Sequence, residues 1–97
     1  MVKHIILWKL REENNTSEIK QAIKRELEGL LGKIPGLLEI RVQIDGLESS
    51  NADVMLDSSF ESEEALKIYS VNPEHVFVAN TYVLPYTKTR MCLDFEV

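Results

Sequence analysis

The segment Val2–Leu10, VKHIILWKL, decides the fold class of this chain. It is rich in β-branched and large apolar side chains, which is typical of a β-strand. Side chains alternate between the two faces of a strand, so Lys3, Ile5, Leu7 and Lys9 share one face and the even-numbered residues share the other. Both faces are apolar at their centre. We therefore expect an interior strand that is covered on both sides of its sheet.

Helix and strand patterns alternate after this segment. Apolar residues at helical spacing predict a first helix, capped by Asn15 or Thr16. Its buried stripe consists of Ile19, Ala22, Ile23, Leu27, Leu30 and Leu31. Two half-buried strands follow, joined by the polar loop 46–51. Their inward-facing residues are predicted to be Leu38, Ile40, Val42 and Ile44 in the first strand, and Val54, Leu56 and Phe60 in the second.

A second helical region begins at Ser62, a typical N-cap residue before two glutamates. Pro73 interrupts this helix and starts a further segment, which ends at Pro85. The last strand is predicted for residues 90–97, where apolar and polar residues alternate. We interpret Arg90 and Asp94, which share one face of that strand, as a surface or interface ion pair.

The order of elements is β-α-β-β-α-β. Right-handed crossovers then place the first strand between the third and the fourth, with both helices on one face. The prediction is an α+β, ferredoxin-like domain spanning residues 1–97, with a four-stranded antiparallel sheet. Two explanations stay open for the second apolar face of the first strand. A second copy packs sheet against sheet and covers it, or Ile5 and Leu7 are exposed and need no partner.

Composition limits the classes of partner. The net charge of −5 at pH 7 argues against nucleic acid or an anionic membrane. No apolar run approaches the ~20 residues that cross a bilayer, and the run from Ile5 to Trp8 is too short for a signal peptide. Cys92 is the only cysteine, so no intrachain disulfide or thiolate metal cluster is expected. We expect a cytoplasmic protein.

The stretch YSVNPEHV, residues 69–76, is typical of a helix start that carries a histidine. Asn72 suits the N-cap and Pro73 the first helical position, which makes His75 the third helical residue. The positive end of the helix dipole opposes protonation of an imidazole there, and burial acts in the same direction. We therefore expect a neutral His75 that accepts a proton or a hydrogen bond.

Four stretches of the chain together resemble one known family. They are MVKHIILWKL at the start, IPGL at 34–37, SSFES…EAL at 58–66, and Tyr69 with NPEHV at 72–76. They are similar to the stress-responsive α/β-barrel domain, Dabb, over essentially the whole chain. The chain departs from the family pattern at 51–53, which lacks the usual tyrosine, and at Asn72, where a second histidine is common. The resemblance implies a homodimer in which two sheets form a shared α/β barrel.

The resemblance also implies site residues. One plant member is a polyketide cyclase that closes an aromatic ring by aldol condensation, and its functional residues correspond to His4, Tyr69 and His75 here. Some members hold a magnesium ion through backbone carbonyls, which by position are those of Leu31, Ile34 and Leu37. No other cofactor is implied.

Three functions are compatible with this pattern. The first is a small dimeric protein, without assigned activity, that binds a small apolar or aromatic ligand in a pocket lined by His4, Tyr69 and His75. The alternative is a cofactor-free, cyclase-like lyase that uses histidine as a base on a carbonyl substrate. A haem-degrading monooxygenase on a similar barrel is the poorest of the three, since no haem-liganding arrangement can be placed. In a purely structural role, His4 and Tyr69 would only pack in the core.

Overall fold

The computed structural model describes residues 1–97. Its strands and α-helices are β1 (Val2–Leu10), α1 (Ser17–Glu28), β2 (Leu37–Gln43), β3 (Val54–Phe60), α2 (Glu63–Val71), α3 (Pro73–Val78) and β4 (Thr87–Glu96). The sheet order is β2-β3-β1-β4, and all neighbouring strands are antiparallel. This is the predicted ferredoxin-like arrangement, with β1 in the interior. None of the helices has the length and hydropathy that crossing a bilayer requires.

The even-numbered face of β1 belongs to the core between the sheet and the helices. All five of its residues are buried, namely Val2, His4, Ile6, Trp8 and Leu10. The neighbouring strand contributes Val54, Leu56 and Phe60 to the same layer, as predicted. The first strand is therefore an interior core strand, and its single histidine is placed within the apolar layer.

The other face of the sheet exposes a continuous apolar surface. Directly opposed residues of antiparallel strands lie on the same face. The register places Met55 and Met91 opposite Leu7, and Leu93 opposite Ile5. The apolar part of this face, which we call the open sheet face, comprises Ile5, Leu7, Met55, Met91, Leu93 and Phe95. The ion pair of Lys3 and Asp57 lies beside it on the same face. Met91 and Leu93 are 68% and 65% exposed, so β4 enlarges the apolar surface that the first strand indicated.

Local signals fix where the helices begin and how closely they pack. The hydroxyl oxygen of Thr16 accepts the Ile19 amide hydrogen at 3.2 Å, and that of Ser62 accepts the Ala65 amide hydrogen at 3.1 Å. Gly36 has φ +85°, and a Cβ at this position would lie 2.6 Å from the Cβ of Ala65. Only glycine therefore allows α2 to approach the start of β2 this closely.

Two predicted core positions are wrong. Leu31 is 50% exposed, because α1 ends at Glu28 and the following turn leaves the helical stripe. Leu38 is 47% exposed while Leu37 is buried. The β2–β3 register shifts between Leu37 and Glu39, and this irregularity reverses the predicted alternation only at the start of the strand. Ile40 and Val42, after the shift, are buried as predicted.

Candidate functional site

A sharp bend between α2 and α3 brings Tyr69 and His75 together. Asn72 ends α2, and its side-chain oxygen accepts the Glu74 amide hydrogen at 2.9 Å. Pro73 begins α3, since it has no amide hydrogen with which to continue α2. The centroids of the Tyr69 and His75 rings lie 4.1 Å apart, with the ring planes tilted by 34°.

His4 reaches the same region from β1. Its ring centroid lies 6.3 Å from that of Tyr69 and 6.2 Å from that of Phe60, both in edge-to-face arrangements. The buried hydroxyl of Ser58 donates a hydrogen bond to the backbone carbonyl of His4 at 3.0 Å. Strand pairing and this bond hold His4 in place, and the four rings of His4, Phe60, Tyr69 and His75 form one cluster.

An apolar cavity of about 230 Å³ adjoins this cluster. His4, Tyr69 and His75 all line the cavity, as does Trp8. The remaining lining residues are mostly aliphatic and come from β1, β3 and the helical segments, and Arg90 of β4 adds one charged side chain. The structure thus brings the three residues that the sequence suggested to one cavity, and it adds Trp8, which the sequence pattern placed only on the even-numbered face of β1.

Three buried polar atoms of the residues around this cavity have no hydrogen-bond partner within the protein. They are Nε1 of Trp8, the hydroxyl of Tyr69 and Nδ1 of His75. Leaving a buried polar group without a partner costs about 1–3 kcal/mol, and such groups are rare in folded proteins. Trp8 can only donate a hydrogen bond, whereas the tyrosine hydroxyl and the imidazole nitrogen can donate or accept. A polar group on a bound molecule would satisfy them.

Burial keeps both site side chains from the α2–α3 region uncharged at neutral pH. It lowers the pKa of His75 below the ordinary value of 6.5, the backbone of Ser70 acts in the opposite direction, and the neighbouring His4 and Arg90 side chains add to the lowering. Burial also raises the pKa of Tyr69. The site therefore offers a neutral imidazole, able to accept a proton, beside a neutral hydroxyl, able to donate a hydrogen bond.

A larger cleft of about 610 Å³ opens between α2 and β4. It shares His4, Leu66, Ser70 and Arg90 with the apolar cavity, so the two spaces adjoin. We call it the outer cleft. Its walls carry charged side chains of both signs, in contrast to the inner cavity.

Three polar side chains meet in the outer cleft. Nδ1 of His4 contacts the carboxylate of Asp94, and the sulfur of Cys92 lies 3.7 Å from that nitrogen and 3.4 Å from the Asp94 oxygen. Within the chain the Asp94 carboxylate pairs with His4 and not with Arg90, so the predicted surface ion pair is wrong, while a pair across an interface stays a prediction. The physical reason is the β1–β4 register, which places Asp94 directly opposite His4. The alternation of residues along β4 predicted that Cys92 and Asp94 share one face. It could not predict which residue of β1 lies opposite each of them.

The chain matches one protein family over almost its whole length. The family model of the stress responsive A/B barrel domain, Dabb, matches residues 2–97. The chain belongs to the Dabb family. A relative from Arabidopsis thaliana, a stress-response A/B barrel domain-containing protein, is 28% identical over 97 residues. These residues are 98% of this Dabb chain and 36% of that plant protein, so the chain spans about a third of its relative.

Solved structures share the Dabb fold. A dimeric, ferredoxin-like protein of unknown function from Bacteroides fragilis is 29% identical, with a TM-score of 0.89 over 99% of this chain and 95% of that one. A hydroxynitrile lyase from Passiflora edulis is 15% identical, with a TM-score of 0.81 over 97% of this chain and 90% of that one. At 15% identity the likeness concerns the fold alone.

The magnesium site implied by the family resemblance lies apart from the cavity. Leu31, Ile34 and Leu37 line neither the inner cavity nor the outer cleft. The carbonyl of Ile34 accepts the Leu37 amide hydrogen at 3.3 Å and keeps one lone pair free. Magnesium at this turn stays a prediction, and no step below depends on it.

Proposed function

We propose that this Dabb protein is a homodimer whose inner cavity binds one small aromatic or apolar compound that carries an oxygen acceptor. The observation that supports the proposal is the group of three unpartnered polar atoms, from Trp8, Tyr69 and His75, around one apolar cavity. Small-molecule sites in proteins typically combine apolar walls with a few convergent polar groups.

The cavity size favours a ligand of one ring. An apolar cavity of about 150 Å³ is large enough to bind benzene. The inner cavity measures about 230 Å³, which leaves room for a small substituent. This volume is smaller than that of the pockets of about 300–1,000 Å³ that usually bind drug-sized ligands. A carbonyl or phenolic oxygen on the ring would accept hydrogen bonds from the Trp8 N–H and the Tyr69 hydroxyl.

The homodimer is supported by the open sheet face. Six apolar side chains share that face, and several are largely exposed in the single chain. Contiguous apolar patches of this kind on soluble proteins usually mark an interaction surface. A second copy supplies a complementary apolar sheet through two-fold symmetry. The related protein from Bacteroides fragilis is described as dimeric.

Binding of a panel of benzaldehydes, acetophenones and phenols, measured by isothermal titration calorimetry, tests the proposal. We expect at least one compound to bind, and Tyr69→Phe to weaken its affinity about tenfold, as loss of one hydrogen bond implies. Tyr82→Phe is the matched control, since it removes a hydroxyl that does not line the cavity. Failure of the whole panel to bind, or equal affinities of all three proteins, would contradict the proposal.

The lowered pKa of His75 supports a second candidate function, which is base chemistry on a carbonyl compound. Tyr69 would donate a hydrogen bond to the carbonyl oxygen while neutral His75 takes a proton from the adjacent carbon, leaving an enolate and an imidazolium. The enolate carbon would then form a bond to a second carbonyl carbon, as in an aldol ring closure. The oxygen of that second carbonyl would take the proton back from the His75 imidazolium and become a hydroxyl group. Both charges form in an apolar cavity, and the hydrogen bond stabilises the enolate.

Proton exchange distinguishes this enzyme from a binding protein. An acetophenone that binds is kept in D₂O with the protein, and NMR follows the loss of its α-hydrogen signal. The base function predicts loss faster than in buffer, abolished by His75→Gln and slowed by Tyr69→Phe. Exchange at the buffer rate, despite binding, would leave only the binding function.

A further inference from the structure

We propose that His4, Cys92 and Asp94 form a binding site for a zinc-class divalent metal ion at the inner wall of the outer cleft. The inference goes beyond the proposed ligand-binding function and shares only His4 with it. The three residues offer an imidazole nitrogen, a thiol sulfur and a carboxylate oxygen, all within 4.8 Å of one another. Zinc takes this mixture of donors, whereas magnesium and calcium prefer oxygen alone.

The distances between the donor atoms match a tetrahedral site on two of three edges. Zinc bonds of about 2.0–2.1 Å to nitrogen or oxygen and about 2.3 Å to sulfur place sulfur about 3.5 Å from the other ligands in a tetrahedron. The sulfur of Cys92 lies 3.7 Å from Nδ1 of His4 and 3.4 Å from the Asp94 oxygen. The third edge, now a hydrogen-bonded contact, has to lengthen. Asp94 is exposed, so its side chain can retreat without disturbing the core.

Strand geometry holds the donors in place before any ion binds. Cys92 and Asp94 lie two residues apart on one face of β4, and His4 faces them from the adjacent strand. The side chain of His4 is buried, and its backbone carbonyl is held by Ser58. Three protein ligands leave the fourth tetrahedral position open to the outer cleft. This number of ligands is typical of catalytic zinc sites, while structural sites use four.

Some charged side chains around the three donors oppose the binding of a cation, and others favour it. Arg90 lies on the same face of β4 and its positive charge opposes a cation, while Glu63 and Glu96 line the same cleft and offset it. Metal binding converts the Cys92 thiol into a thiolate and releases its proton. It also requires the His4 tautomer with its hydrogen on Nε2, so that Nδ1 is free to bind the ion.

Titration of the reduced protein with cobalt(II) tests the site, because this ion replaces zinc and its absorption spectrum reports geometry. We expect one ion per chain by native mass spectrometry, intense visible bands of a tetrahedral site, and a sulfur-to-cobalt charge-transfer band in the near ultraviolet. Zinc should displace the cobalt. A weak octahedral spectrum without the charge-transfer band would overturn the proposal.

Two substitutions and a matched control assign the ligands. Cys92→Ser should abolish the charge-transfer band. Loss of a residue that only supports a metal ligand weakens binding about 10- to 100-fold. Asp94→Asn changes a ligand itself, so it should weaken zinc binding at least as much. Glu96→Gln makes the same carboxylate-to-amide change on the same face of β4. Because Glu96 acts on the ion only through its charge, this variant should weaken zinc binding far less than Asp94→Asn. Equal loss in Glu96→Gln and Asp94→Asn would indicate diffuse attraction and overturn the site. Tyr69→Phe should keep the cobalt spectrum, so failure of the ligand-binding function and failure of the metal site are separable.

Discussion

His4 on β1 and Asp94 on β4 are directly opposed in the strand register, and the Asp94 carboxylate contacts Nδ1 of the imidazole. The two residues are 90 positions apart in the chain. Because His4 also lines the inner cavity, the contact links the charged outer cleft to the apolar inner cavity. The candidate site is therefore assembled from β1, the α2–α3 bend and the last strand.

The Tyr69 hydroxyl should contribute to binding and not to folding. It has no partner within the protein, so Tyr69→Phe should leave the free energy of unfolding unchanged or raise it by up to about 1 kcal/mol. Tyr69→Ala also loses ring packing against Phe60 and His75, and should cost about 3–5 kcal/mol. Urea denaturation measures both values. A clearly destabilised Tyr69→Phe protein would mean that the hydroxyl is bonded in solution.

Protonation of His75 should destabilise the fold. Its pKa in the folded protein is lowered, chiefly by burial, so the unfolded chain binds a proton more readily. The sign follows from linkage. The stabilising contribution is complete above the ordinary pKa of 6.5 and is lost as the pH falls from that value through the folded-state pKa. Unfolding free energies measured from about pH 7.5 to about pH 5 should therefore decrease.

The variant His75→Gln is the control for this pH dependence. It removes the imidazole but leaves His4, Arg90 and Tyr69, the other titratable or charged groups around it, in place. The decrease in stability on acidification should be smaller in the variant than in the wild type. An equal decrease in both proteins would assign the effect to another group.

Disruption of the open sheet face should dissociate the proposed homodimer. Leu7→Asp places a charge in the packed interface, where it has no partner. Sedimentation of the wild type should give about twice the chain mass of 11.1 kDa, and the variant should sediment as a monomer or unfold. Leu47→Asp makes the same change at a loop leucine that is 80% exposed, and should stay dimeric. A wild-type monomer at micromolar concentration would refute the dimer.

Most of the fold was predictable because its signals are local. The alternation in β1, the caps at Thr16 and Ser62, and the break at Pro73 each act through neighbouring residues, and each appears in the structure as predicted. The element order then left one topology. The errors at Leu31 and Leu38 come from a helix end and a register shift, which depend on packing rather than on periodicity.

The site was only partly predictable. His4, Tyr69 and His75 followed from the family resemblance, and no pattern within the chain showed that they meet. Trp8 carried no signal beyond its place on the even-numbered face of β1, because an unpartnered N–H depends on every neighbour in three dimensions. The contact of Asp94 with His4 depends on the β1–β4 register, and that register is fixed only when the strands pair.

The most direct test of the ligand-binding account is the indole N–H signal of Trp8 in two-dimensional ¹⁵N–¹H correlation NMR. Trp8 is the only tryptophan, so its signal is assigned without ambiguity. An aromatic carbonyl compound that binds should accept a hydrogen bond from this group. Its signal should then move downfield with the same saturation curve that calorimetry gives, and Tyr69→Phe should shift that curve to higher concentration. A compound that binds while the indole signal stays in place would contradict the central claim.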